Sequence, residues 1–162
     1  MNNKVILKIK LIISLALLIN WMAVIYYLSS QIADVSSVHS QGLIYTIASL
    51  IGTELKSEAS LLFYEGILRE TAHGVEFAIL SVLSFFTLKY LSQLVNKGFF
   101  NKPWFIEKCA FIFCFLYACS DEVHQLFVPG RAFEIKDIII DSAGIIVGIL
   151  TSKQVFHILQ RD

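Results

Sequence analysis

Four stretches of this chain are both long and strongly apolar: about Leu11–Leu28, Ala72–Leu94, Pro103–Ser120 and Glu134–Phe156. Crossing the hydrocarbon of a bilayer takes roughly 20 mostly apolar residues, and each stretch approaches that length. The first carries only Ser14 and Asn20 as notable polar residues, whereas the second and fourth reach full length only by including Glu76 and Asp141 near one end. The pattern predicts four membrane-spanning helices. Residues 29–71, between the first two, read differently. Leu43, Ile44, Ile47, Leu50 and Ile51 recur at helical steps, with Ser40, Thr46, Ser49 and Thr53 between them. Leu61, Leu62, Phe63, Ile67 and Leu68 form a shorter apolar set beside Glu58, Glu65 and Arg69. Such periodicity predicts short amphipathic helices, lying on the bundle as a cap or over a polar site as a lid.

Composition supports that reading. The chain has 162 residues, 56% of them hydrophobic, against about 45–50% in an average soluble domain, and its mean hydropathy is +0.69. The expected class is an all-α integral membrane protein, with four transmembrane helices and short extracytoplasmic amphipathic helices between the first and second. No internal repeat, low-complexity tract or Pro/Gly/Ser-rich linker divides it, so residues 1–162 are expected to form one domain. The first stretch resembles a signal peptide, because Lys4, Lys8 and Lys10 precede it. Its apolar part is longer than an ordinary signal core and no small-residue cleavage site follows, which favours an uncleaved first helix. Cys109, Cys114 and Cys119 are five apart, so successive thiols turn about 140° around a helix and do not converge. They read as packing residues rather than metal ligands or a disulfide framework.

Net charge is zero, yet the charges are sorted. Lys4, Lys8, Lys10, Lys89, Lys97, Lys102, Lys108, Lys153 and Arg161 fall on one side of the four spans, against Glu107 and Asp162 as the only acids there. Lys56, Arg69, Arg131 and Lys136 fall on the other with the remaining acids. By the positive-inside rule both termini are cytoplasmic. The ends that then face outward carry the unusual polar groups: Ser29-Ser30-Gln31 after span one, His73 and Glu76 opening span two, Asp121 to Arg131 after span three, and Asp137 and Asp141 entering span four. Ionisable groups at membrane depth are rare unless they are paired, wet or in use.

Spacing suggests how these groups meet. His73 and Glu76 are neighbours on a helix. Asp137, Asp141, Gly144 and Gly148 share one stripe, acidic at the outer end and small further in. Small residues four apart let helices approach closely in lipid, so that stripe is expected to face the bundle. Asp121 has a one-turn relation to His124 and Gln125, while Glu122 points elsewhere. Pro129-Gly130 is a turn signal that would aim Arg131 back at the site. Carboxylates so crowded require cations, protons or basic partners.

The candidate pocket is therefore Ser30, Gln31, His73, Glu76, Asp121, Glu122, His124, Gln125, Arg131, Asp137 and Asp141. Arg131 suits bidentate capture of phosphate or carboxylate, which at this location means a membrane lipid head group or a lipid-linked cell-wall intermediate; no nucleic-acid partner is expected. Asp121, Glu122 and His124 are the candidates for acid–base catalysis. A divalent metal is the other way to neutralise the acids. The spacing matches neither HExxH nor a cysteine pattern, so His73, Glu76 and His124 are metal candidates by donor type alone. No nucleophile elbow surrounds Ser29 or Ser30, so hydrogen bonding or capping is the role expected there.

Four pieces resemble the VanZ family of small bacterial membrane proteins: Leu28-Ser29-Ser30-Gln31; His73-x-x-Glu76-Phe77; Asp121-Glu122-x-His124-Gln125-x-Phe127-x-Pro129-Gly130-Arg131; and Asp137-x-x-x-Asp141-x-x-Gly144. They cover about residues 25–150, and the third piece is the most specific. Asp141 departs from the pattern, which more often has asparagine there. The resemblance implies a multi-spanning protein of the bacterial cell membrane, in a family whose namesake is associated with low-level resistance to the glycopeptide teicoplanin. It leaves three readings: a protein binding an envelope lipid or cell-wall precursor, a membrane enzyme hydrolysing or transferring a lipid-linked phosphate or head group, and an ion-coupled carrier. The carrier ranks last, because charges confined to one side leave no relay to the other.

Overall fold

The computed structural model describes residues 2–52, 57–95, 98, 102 and 104–159. Thr53, Lys56, Lys97, Pro103, Arg161 and Asp162 of the patterns above lie outside them. The described residues form five helices and no strand: α1 (Asn3–Ser29), α2 (Ala33–Ile51), α3 (Glu58–Val95), α4 (Phe105–Gln125) and α5 (Ile135–Ile158).

Several helix boundaries have identifiable causes. The Asn2 side chain accepts from the Lys4 N–H at 3.2 Å and caps α1. Asp34 in the first turn of α2 suits the positive end of its dipole, and Gly52, at φ 70°, ends it in the left-handed conformation. After α4 the Val128-Pro129-Gly130 turn reverses the chain, with Gly130 at φ 78°. The N-terminus of α5 is capped from outside its own sequence: Glu122 of α4 accepts the Glu134 N–H at 2.8 Å. That bond satisfies one of the donors a helix start leaves open.

The main departure from expectation is α3. The apolar set at Leu61–Leu68 is not a separate short helix but the first part of a 38-residue helix that continues through the second stretch. No proline interrupts 58–95, and nothing else in those residues stops a helix once started. At 1.5 Å per residue α3 is about 57 Å long, well beyond the roughly 30 Å of a hydrocarbon core. Its first part therefore projects past the bundle, and α2 packs along it. Of the described helices, α1 and α3 are long and apolar enough to cross a membrane, with mean hydropathies of 2.2 and 1.5 over their best windows.

α3 is the central helix, flanked by α1, α4 and α5. The core is built from Leu18 and Ile25 of α1, Phe77, Leu80 and Phe85 of α3, Ala110, Cys114 and Ala118 of α4, and Ile145 and Ile149 of α5. Cys114 is one of these packing residues, and all three cysteines are unpaired. Two bonds pin α1 to its neighbours: Trp21 Nε1 donates to the Glu76 carbonyl at 2.9 Å, and the Tyr117 hydroxyl to the Met22 carbonyl at 2.7 Å. Glycines set the closest approach. A Cβ on Gly144 would strike the backbone of Gly74, and one on Gly148 would strike Ser81 and the Ala78 carbonyl. The predicted small-residue stripe of α5 thus lies against α3.

Candidate functional site

Close contact between α3 and α5 creates the first half of the site. With no side chain at Gly144, the α5 backbone reaches α3 beside His73, and the aspartates higher on the same stripe flank that imidazole. Asp141 Oδ1 lies 3.5 Å from His73 Nδ1, and Asp137 Oδ2 lies 3.9 Å from His73 Nε2. All three side chains are buried, as is Glu122, which enters from α4. One Glu122 oxygen is taken by the Glu134 N–H; the other has no partner. His73 Nδ1, Asp137 Oδ1 and both Asp141 oxygens are likewise buried without a hydrogen bond.

The second half is an open cavity of about 290 Å³ above this cluster. Its polar wall includes Gln31, His73, Glu76, Asp121 and Arg131; Leu28, Leu43, Leu68 and Ala72 supply the apolar wall. α2 contributes Ser36, His39, Ser40 and Leu43, so the helix after α1 forms part of the cover. Asp121 accepts from Gln125 Nε2 at 3.2 Å. Arg131 is half-buried, donates through Nε to the Gln31 carbonyl at 3.1 Å, and makes no ion pair among the described residues. Burial and then neighbouring Arg69 push its pKa below the usual arginine value, with Asp121, Glu122 and Glu76 acting the other way. Arg69 itself pairs with Glu134 at 3.0 Å, and Lys136 pairs with Glu70.

The residues singled out from the sequence thus fall into three groups. Gln31, His73, Glu76, Asp121 and Arg131 line the cavity. Glu122, Asp137 and Asp141 gather beneath it around His73, and Gln125 is buried against Asp121. Ser30 and His124 go elsewhere: Ser30 Oγ lies 3.2 Å from His124 Nε2, and the imidazole stacks on Tyr26 with ring centroids 4.6 Å apart. His124 therefore meets α1 and forms no ion pair with Asp121 or Glu122. The three metal candidates taken from donor type share only His73 with the one donor cluster found among the described residues, His73, Glu122 and Asp137, whose ligand atoms lie within 4.8 Å of one another.

A family model described as VanZ/LLP1 matches residues 14–157, from within α1 to the end of α5. The chain belongs to the VanZ/LLP1 family. No curated protein and no solved structure matches it. Polar cavity residues of this VanZ/LLP1 chain that the sequence reading did not place in the pocket are Ser29, Ser36, His39, Ser40 and Arg69. Arg69 stands one helical turn before His73, a signal lost when 61–68 was read as a separate helix. His39 lies among Ser36, Ser37 and Ser40 on the polar side of α2, which marks a polar face without saying what that face covers.

Proposed function

We propose that this VanZ/LLP1 protein is a single-domain, four-span protein of the bacterial cell membrane with both termini in the cytoplasm, and that its cavity binds the anionic head group of an envelope lipid or lipid-linked cell-wall precursor. The membrane reading rests on family membership and on the two long apolar helices. α4 and α5, at 21 and 24 residues, have the length for two further spans, and their charged residues sit near the ends. The basic residues sorted to the opposite side support the orientation.

One observation carries the ligand class. Arg131 stands at an amphipathic cavity beside a second arginine, with its terminal nitrogens in no carboxylate pair. A phosphate or carboxylate would supply the missing counter-charge, and the apolar wall suits the start of an acyl or polyprenyl chain. Gln31 orients Arg131 through its carbonyl, and α2 covers the bound head group. In a resistance setting, such binding would alter how much lipid-anchored teicoplanin accumulates at the surface. The test compares Arg131→Ala and Asp121→Asn with wild type at equal membrane levels. Changed teicoplanin susceptibility or lipid-precursor pools is the expected result; unchanged values for both variants would refute the reading.

A second reading, hydrolysis or transfer at a lipid-linked phosphate, is favoured by the His73 imidazole held between Asp137 and Asp141, an arrangement suited to proton transfer. Turnover of polyprenyl-phosphate or phospholipid substrates by purified protein separates it from binding alone.

A further inference from the structure

The buried cluster beneath the cavity has a surplus of acceptors and too few donors. Glu122 and Asp141 are fully buried and Asp137 is 3% exposed, yet oxygens on all three lack a hydrogen-bond partner. Uncompensated buried carboxylates are costly and are ordinarily paired or bound to a cation. The nearby cations do not neutralise these acids: Arg69 and Lys136 bind Glu134 and Glu70, and Arg131, with its Nε on the Gln31 carbonyl, pairs with none of the three. His73 cannot satisfy every acid, because its two nitrogens face different aspartates.

We infer that His73, Glu122 and Asp137 bind a divalent first-row transition ion, zinc or manganese, through Nε2 and one carboxylate oxygen each. Donors no more than 4.8 Å apart leave a central ion at most about 2.8 Å from each, against about 2.0–2.2 Å for zinc bonds to nitrogen and oxygen. Closing that gap takes side-chain shifts under about 1 Å. One imidazole with carboxylates favours such an ion over calcium, which prefers six to eight oxygens.

The flanking groups support the same assignment. Metal-bound histidines usually present their other nitrogen to a carboxylate, which sets tautomer and ring orientation. Asp141 occupies that position at Nδ1, 3.5 Å away. Glu122 is oriented by the Glu134 N–H on one oxygen, leaving the other free for the ion. His73 also lines the outer cavity, so the ion would sit next to the ligand space. Asp141 is a positioning residue, and the site does not depend on which head group fills the cavity.

The full-length protein, purified in detergent and stripped with chelator, is titrated separately with zinc, manganese, magnesium and calcium chloride. The expected result is one zinc or manganese ion per chain. Glu122→Gln, which keeps an acceptor for the Glu134 N–H, and Asp137→Asn should each weaken binding at least tenfold. Asp141→Asn should weaken it about 10–100-fold, and His157→Asn, at the opposite end of α5, should leave it unchanged. If the site variants fail to fold, copper(II) loaded into wild type decides the matter, since its pulsed EPR spectrum must carry the remote nitrogen of one imidazole. The assignment is overturned by wild type that binds neither zinc nor manganese, by zinc or manganese binding indifferent to both Glu122→Gln and Asp137→Asn, or by a copper spectrum without an imidazole.

Discussion

Gly144→Ala is the sharpest perturbation of this architecture. A Cβ there would lie 2.9 Å from the Gly74 carbonyl carbon and 3.1 Å from its Cα, with the carbonyl oxygen nearer still. Ordinary carbon–carbon contacts are about 3.5–4.0 Å, and the still closer carbonyl oxygen sets the larger requirement, so α3 and α5 would have to part locally by about 1 Å or more. Overpacking of this kind costs about 1–3 kcal/mol. Alanine also gains about 0.5–1 kcal/mol over glycine within a helix, which would mask part of the loss. Gly66→Ala supplies the correction: it is on the same helix as Gly74, and its Cβ would meet nothing within 4 Å. Both variants share the helix gain, so their difference isolates the overpacking term. Equilibrium unfolding in mixed detergent micelles, followed by circular dichroism, should place Gly144→Ala about 1–3 kcal/mol below Gly66→Ala. The same parting would move His73, next to Gly74, away from Asp137 and Asp141, so zinc affinity should fall with stability. Equal stability of the two variants, to within about 0.5 kcal/mol, would refute the claim that a glycine contact sets the α3–α5 spacing.

His124→Ala should cost about 0.5–1.5 kcal/mol by removing the stack on Tyr26, while leaving zinc affinity at the wild-type value; unfolding and metal titration together check this, and a large loss of metal would contradict the donor set. Gly130→Ala places a side chain in a left-handed conformation and 2.9 Å from the Ala33 Cβ. It should cost about 1–2 kcal/mol from the backbone alone, read by the same unfolding assay, and shift teicoplanin susceptibility in the direction of Arg131→Ala, because Arg131 is the next residue.

Legibility in the sequence followed the range of the interaction. The helical stretches, the acidic-then-small stripe of α5 and the Pro129-Gly130 turn were readable because each depends on residues within a turn or two of one another. The length of α3 was not, because two hydrophobic patterns of different character, 61–68 and 72–94, gave no sign that one backbone carries both. Arg69 was missed with it. Within the candidate site, Gln125 on Asp121 was one of two readings left open by a one-turn relation, and the structure chose it.

Residue type and helical spacing were enough to specify which groups line each face: His73 near Glu76, both aspartates above Gly144 and Gly148, and Arg131 after a reversal. Local geometry repeats every turn, so it can be read from the chain. Which faces touch is a matter of interhelical distance, and that belongs to no single segment. His73 meets the aspartates because Gly144 lets two backbones close up, Glu122 caps a helix it is not part of, and His124 turns to Tyr26 and Ser30 on α1. These partnerships separate an open, arginine-bearing cavity from a buried carboxylate cluster, where spacing alone offered one undivided set of polar groups.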